Sequence, residues 1–290
     1  MLISKDWQEY ELIDAGDGEK LEQWGTFVLR RPDPQAIWPK SSLAPWNKVD
    51  AQYRRSREGG GRWEFARRDI PDHWVVSYGR LSFRVELMGF KHTGLFPEQA
   101  VNWDWMMDII RKATKPVSVL NLFAYTGAAT VVAASAGASV CHVDASKGMI
   151  DRARENLRLS ELEQAPVRFI ADDVLKFVER ERRRGHRYDA IIMDPPSFGR
   201  GPRGEVWKIE EQLFSLLEHC VHVLSNRPLF FLVNTYTTGF SSTALNTLLK
   251  LSVGEKFDGV CSSTEIGLDA SSREISLPCG ISGRWEQKSS

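Results

Sequence analysis

From about residue 97 to the C-terminus the chain alternates short apolar, β-branched runs with longer amphipathic ones, and few folds accept that rhythm. The strand-like runs are 117–123, 139–143, 167–170, 188–193, 228–233, 260–264 and 275–280. Helical spacing falls near 127–136, 147–159, 173–184, 206–224 and 241–252, and the stretch PEQAVNWDWMMDIIRKATK, with a proline at its start, supplies another helix ahead of them. Strands separated by helices imply a mainly parallel sheet covered on both faces. Only EIGLDASSRE separates the last two runs, so they are expected to pair antiparallel as a hairpin. The fold class expected is α/β, a Rossmann-like seven-stranded sheet, mostly parallel, closed by that hairpin.

Residues 1–96 read differently. Eight of the ten tryptophans lie before residue 106, and the proline-rich stretch RRPDPQAIWPKSSLAPW is followed by alternating β-formers in HWVVSY (73–78) and RLSFRVELM (80–88). A small β-rich domain over 1–96, its core packed by most of those tryptophans, would then precede a catalytic domain over 97–290. REGGGRW (57–63) reads as a hairpin tip or loop.

Lys plus Arg balances Asp plus Glu, so any polyanion site must be local. Cys141, Cys220, Cys261 and Cys279 form no C-x-x-C pair, and acids occupy the place of a signal peptide's apolar core, so a cytoplasmic, reduced location is expected. Residues 116–143 carry no formal charge, but Asn121, Tyr125, Thr126, Gly127 and further polar residues suit a strand, turn and Ala-rich helix rather than a membrane span. His219 and His222 have no third ligand in view, so no metal is expected.

In doubly wound sheets ligands sit beyond the carboxyl ends of the strands. The first strand ends in NLFAYTGAAT, where Gly127 allows a tight turn into a helix with free N–H groups. Asp144 ends the second and can accept from both hydroxyls of a ribose. Asp172 and Asp173 follow the third, and either can accept from an exocyclic amine. Each acid could instead cap the helix after it, Asp144 near Ser146 included. Acids after three separate strands, with one glycine turn, favour a nucleoside pocket. A dinucleotide would want G-x-G-x-x-G, and a triphosphate G-x-x-x-x-G-K-[ST]; neither occurs.

The fourth strand ends in DPPSFGR (194–200). In methyl transfer from a sulfonium the methyl is already electrophilic, and the enzyme mainly aligns a nucleophile in line with it. Asp194 and the Pro195 carbonyl can aim the lone pair of a base nitrogen. Pro195 and Pro196 stiffen the segment and remove competing donors, and Phe198 can stack on an extruded base. A rigid loop with Phe198 in the core is the alternative.

Residues 97–290 resemble a class I S-adenosylmethionine-dependent methyltransferase. FKHTGLFPEQAVNW, LNLFAYTGAAT, VDASKGMIDRARENL and DPPSFGRGPRGEVWKIE are similar to the bacterial 23S ribosomal RNA group that includes cytosine carbon-5 and guanine N7 enzymes. The resemblance implies S-adenosylmethionine as cofactor. It places Thr93, Gln99, Asn121, Phe123, Tyr125, Thr126, Gly127, Asp144, Ser146, Asp173 and Asp194 around it. Asp194, Pro195, Pro196 and Phe198 form the catalytic segment, and Asn156 matches a helix asparagine of unassigned role. The carbon-5 enzymes use a cysteine after the fifth strand; here that segment reads VNTYTTGF (233–240), which favours nitrogen methylation.

RNA, ribosomal RNA in particular, is the partner this reading implies. Arg54, Arg55, Arg57, Arg62, Arg67 and Arg68, interleaved with Trp63 and Phe65, suit backbone contact and base stacking, and Arg200, Arg203 and Lys208 follow the catalytic segment. A small-molecule or protein methyltransferase, or a catalytically silent RNA-binding factor of the same fold, are the rival readings.

Overall fold

The computed structural model describes residues 1–56, 60–200 and 206–288, with Arg200 described by its backbone alone. The chain divides into two compact units, Met1–Val101 with Ile266–Cys279, and Asn102–Glu265 with Gly280–Ser290. The expected boundary at 96/97 falls a few residues before this division, and 266–279 joins the first unit because it pairs there.

The first unit contains β1 (Leu2–Ile3), β2 (Tyr10–Gly16), β3 (Glu19–Trp24), β4 (Phe27–Pro32), β5 (Ala51–Arg55), β6 (Gly61–Phe65), β7 (Trp74–Tyr78) and β8 (Leu81–Val85). Strands β2 to β6 form one sheet in chain order, and β7 and β8 pair separately. Asp17 and Gly18, both at positive φ, make the two-residue turn between β2 and β3. Trp24 is fully buried, and Tyr10 packs edge-on against it with ring centroids 4.6 Å apart. Of the six tryptophans in this unit only Trp24 is buried; Trp7, Trp38, Trp46, Trp63 and Trp74 are half-buried, so they line the edge of the core rather than fill it as expected. Buried Glu22 accepts from Arg31 Nε at 2.6 Å and Nη2 at 2.7 Å. Burial alone would raise the Glu22 pKa; Arg31 and Lys20 outweigh it and hold the carboxyl at about 2. Near the tip of the C-terminal hairpin, Arg273 Nε donates to Asp14 at 2.8 Å.

The second unit takes most of α1 (Ala100–Lys112), then β9 (Ser118–Leu122), α2 (Ala128–Ser135), β10 (Ser139–Asp144), α3 (Lys147–Leu159), β11 (Val167–Ala171), α4 (Val174–Arg184) and β12 (Ala190–Met193). The short hairpin β13 (Phe198–Arg200) and β14 (Val206–Lys208) follows, then α5 (Ile209–Val221), β15 (Phe230–Thr235), α6 (Ser242–Leu249), β16 (Gly259–Asp269) and β17 (Ser276–Gln287). The sheet has eight strands, one more than expected, in the order β1-β16-β17-β15-β12-β9-β10-β11, with β9 to β12 and β15 parallel, β17 antiparallel to β15 and the short β1 parallel to β16. Every residue of β12 and β15 is buried, as strands covered on both faces must be. Helix starts follow local chemistry: Ser146, Asp173 and Ser241 each accept from a backbone N–H in the first turn of the helix behind them. Gly185, at φ 73°, ends α4.

Two further expectations are corrected here. Residues 206–208 are not helical but pair as β14, so the fifth helix starts at Ile209. The hairpin strands are also far longer than 260–264 and 275–280. Among the described residues no helix is long and apolar enough to cross a membrane.

Candidate functional site

After β11 the chain crosses to the other side of β9 to lay down β12, so the sheet has its switch point between β9 and β12. The registers align the strand ends there. Leu122 is paired with Val143 on one side and Met193 on the other, and Met193 with Val233. The next residues, Phe123, Asp144, Asp194 and Asn234, therefore lie at the same level in four neighbouring strands, where β9 and β12 have ended while β15 stays paired with β17 through Thr235.

The turn after β9 is unusual backbone. Phe123, Tyr125 and Gly127 have φ of 52°, 51° and 79°. Left-handed conformations are costly for Phe and Tyr and persist only where the surroundings over-determine them. Several contacts do so. Asp144 Oδ2 accepts the Tyr125 N–H at 2.8 Å. The Ala124 N–H donates to the Val143 carbonyl at 3.1 Å. Buried Asn156, on α3, donates from Nδ2 to the Thr126 carbonyl at 2.8 Å. A Cβ on Gly127 would lie 2.6 Å from the Ala153 Cβ, so only glycine fits. Beneath the turn Asn121 donates to Thr130 Oγ1 at 2.9 Å, and Thr130 Oγ1 lies 3.0 Å from His142 Nδ1. Burial, with Arg154 adding to it, lowers the His142 pKa to about 3, so this ring stays neutral.

These contacts leave the groups a nucleoside needs. The second oxygen of Asp144 accepts from the Ser146 N–H at 2.8 Å, so each oxygen of the carboxylate retains a lone pair for a ribose hydroxyl. The capping role open to Asp144 is taken by Ser146, whose hydroxyl accepts from Met149. Gly127 offers no side-chain cap to α2, so the first-turn N–H groups there are not closed off by their own helix. Asp173 caps α4 through Oδ1, while Asp172 is tied up by Arg180. Asp173 is thus the exposed acid of the two, with its second oxygen outside the cap. Thr93 and Gln99 are both buried and belong to the first unit.

On the other side of the switch point Asp194 is half-buried and Pro195 buried, and Phe198 is 53% exposed rather than packed into the core. One residue outside the sequence expectations supports this segment, and a second, Asn234, sits on the neighbouring strand β15. Trp207 donates from Nε1 to the Pro196 carbonyl at 2.6 Å, and its ring centroid lies 5.6 Å from that of Phe123. Asn234, at the end of β15, accepts from Asn102 Nδ2 at 3.0 Å, and Asn102 Oδ1 in turn accepts from Ser282 at 2.9 Å and Arg284 Nη2 at 2.6 Å. Asparagines at a strand end and a helix start are common caps, so the sequence alone gives them no special weight.

The four cysteines are free thiols, and Cys220 is wholly buried in α5, where burial pushes its pKa far up. Among the described residues there is no group of three or more His, Cys, Asp or Glu that could hold a metal ion.

This chain matches the family model described as S-adenosylmethionine-dependent methyltransferase over residues 44–220, more than half its length. The chain belongs to the S-adenosylmethionine-dependent methyltransferases. The match starts within the strand-rich front. A crystal structure of an S-adenosylmethionine-dependent methyltransferase from Agrobacterium tumefaciens superimposes with a TM-score of 0.94 at 39% identity, covering 99% of this chain and 93% of that one. Among curated relatives, ribosomal RNA large subunit methyltransferase K/L of Pseudoalteromonas atlantica is 37% identical over 64% of this chain and 26% of its own. The K enzyme of Neisseria meningitidis is 27% identical over 76% of this chain and 63% of its own. The methyltransferase thus spans about a quarter of the K/L relatives' length.

The cofactor is S-adenosylmethionine, and the donor set fits it. The acceptors at Asp144 and Asp173 suit hydroxyl and amine donors, and the single-glycine turn needs to meet no phosphate. When bound, the cofactor supplies a methyl activated by its sulfonium. The chain's own task is then to hold the nucleoside, exclude water and aim a nucleophile.

Of the basic candidates, Arg54, Arg55, Arg62, Arg67 and Arg68 are all exposed. Arg54 and Arg62 face each other across β5 and β6, and both reach Glu64, at 2.6 and 3.5 Å. Arg67 pairs with Asp69 at 2.6 Å. Phe65 is exposed, whereas Trp63 is half-buried and donates to the Met88 carbonyl at 2.8 Å. Lys208 pairs with Glu211 at 2.7 Å. Arg57 and Arg203 lie outside the described residues.

Proposed function

We propose that this methyltransferase transfers its methyl to a nitrogen of a base in ribosomal RNA, in the cytoplasm where that RNA is made. The observation that carries the reading is the strand-end arrangement at the switch point. Asp194 leaves β12 level with the turn that ends β9, and the exposed ring of Phe198 follows four residues later on a proline-stiffened segment. The Asp194 carboxylate is an acceptor that can orient a nitrogen lone pair, and Phe198 offers a face on which an extruded base can stack. Asp144, with the Phe123–Gly127 turn, holds the cofactor's nucleoside, and Asp173 lies to its adenine side. The names of the curated relatives support RNA as substrate. The segment after β15 contains no cysteine, which supports nitrogen rather than carbon-5 of cytosine as acceptor. The exposed arginines of β5, β6 and the following turn are the RNA-contacting surface in this reading.

The test is transfer of tritiated methyl from S-adenosylmethionine to total RNA, protein and small-molecule fractions of cells lacking the enzyme. Label is expected in large ribosomal RNA, and Asp194→Ala should reduce it at least about a hundredfold, the scale on which lost alignment acts. Label confined to protein or small molecules, or no label with a protein that binds S-adenosylhomocysteine, refutes the substrate assignment.

A further inference from the structure

Two prolines fix φ at 195 and 196, and Pro196 also restricts ψ of Pro195, but ψ of Pro196 is left open, so the direction of the Pro196 carbonyl must be set by something else. The structure assigns that work to Trp207, as a positioning residue that locks the catalytic segment to the cofactor turn; the inference rests on the site reading above. Its indole N–H holds the Pro196 carbonyl at 2.6 Å. Two residues further on, the Ile209 N–H holds the Ser197 carbonyl at 3.1 Å, and Ser197 Oγ lies 2.7 Å from Thr237 Oγ1, which ties the segment to the loop after β15. The consecutive carbonyls of Pro196 and Ser197 are thus anchored, the first to β14 and the second to the first residue of α5, and the pairing of β14 with β13 also places Phe198 opposite Lys208.

The ring of the same indole meets Phe123 in a tilted contact, with ring centroids 5.6 Å apart at an interplanar angle of 49°. Phe123 is the first left-handed residue of the cofactor turn. One side chain therefore touches both motifs: it fixes the peptide plane next to the nucleophile-orienting segment and supports a strained residue beside the cofactor. Tryptophan suits both tasks. Its ring supplies the contact area and its single N–H supplies the donor; phenylalanine could do the first and not the second.

That difference makes the two tasks separable. Trp207→Phe keeps a ring on Phe123 and deletes the N–H. Affinity for S-adenosylhomocysteine, read by calorimetry, should stay within about twofold, and KM for S-adenosylmethionine with it. On methyl-accepting RNA kcat should fall about three- to tenfold, the range expected for one lost hydrogen bond. Trp207→Ala deletes both contacts and should weaken S-adenosylhomocysteine binding about fivefold or more as well. Unchanged circular dichroism and thermal midpoint within a few degrees would show that both variants fold. A readout independent of substrate is the fluorine resonance of 5-fluorotryptophan-labelled protein assigned to Trp207 by its loss in Trp207→Phe. It should shift on saturation with S-adenosylhomocysteine. If wild-type protein methylates no RNA, the substrate assignment fails, while calorimetry and the fluorine resonance still decide Trp207. Wild-type affinity in Trp207→Ala, a resonance indifferent to S-adenosylhomocysteine, or wild-type kcat in Trp207→Phe overturns the role.

Discussion

Gly127→Ala tests the cofactor turn most sharply, because its cost has two parts that can be pulled apart. A Cβ at this position would meet the Ala153 Cβ at 2.6 Å, the Ala153 Cα at 3.2 Å and His142 Cε1 at 3.3 Å. Gly127 also has φ of 79°, where an L side chain costs roughly 1–2 kcal/mol. Overpacking a well-filled site adds about 1–3 kcal/mol, so the variant should lose about 2–5 kcal/mol. Ala153→Gly removes the colliding methyl and by itself should cost about 1 kcal/mol through helix propensity. The double variant should then recover the collision, a coupling of about 1–3 kcal/mol between the two sites, and retain the conformational cost. Urea unfolding of the four proteins, compared by midpoint at constant slope, measures the cycle. The single variant should also bind S-adenosylhomocysteine at least about tenfold more weakly, and Ala153→Gly should restore part of that affinity. If the two substitutions add within about 0.5 kcal/mol, the collision is not what makes glycine necessary, and the geometry argued for this turn is wrong.

Other outcomes follow from the same contacts. Asn156→Ala should cost about 1–3 kcal/mol, because it leaves the buried Thr126 carbonyl without its donor, and should weaken S-adenosylhomocysteine binding in calorimetry. His142 has a pKa of about 3 in the folded state, below its ordinary value near 6.5, so between those values the unfolded chain holds the extra proton. Its contribution is therefore complete above pH 6.5 and is lost as pH falls toward 3, with a slope of up to ~1.4 kcal/mol per pH unit; His142→Phe should flatten the stability profile in that window, and an unchanged profile refutes the assignment. Reversing Arg54 and Arg62 to glutamate should weaken RNA binding and make it less salt-dependent, and an unchanged salt slope removes this surface from the interface.

The main sheet was legible because its central parallel strands are buried on both faces and so read as apolar runs, as in AIIM of β12 and the FFLV that opens β15. The helices between them carry their own start signals at Ser146, Asp173 and Ser241. The hairpin strands β16 and β17 outran the sequence signal because their outer residues, such as the TEIGLD end of β16, mix polar and apolar types, with buried Ile266, Gly267 and Leu268 flanked by exposed acids. Strand β14 was hidden for a different reason: Glu-Val-Trp-Lys runs directly into helical spacing, and only pairing with β13 and the Trp207 hydrogen bond make it extended. In the front unit the Asp17-Gly18 pair is a strong hairpin signal, yet the strands around it, YELIDAG and EKLEQW, carry too many charges to stand out as apolar runs. At the site, Asp144, Gly127 and Asp194 announce themselves by type and by place at strand ends. Trp207, Asn102 and Asn234 do not, because what they do depends on partners up to 182 residues away in the chain.

The central claim is that Asp194, on its proline-stiffened segment, aims a base nitrogen at the cofactor's methyl. Nucleoside mass spectrometry of ribosomal RNA from cells lacking the enzyme, after incubation with the protein and deuteromethyl S-adenosylmethionine, tests it most directly. The expected result is label in a nitrogen-methylated base that disappears with Asp194→Ala. Label on carbon-5 of cytosine, or nitrogen label that survives Asp194→Ala, would contradict it.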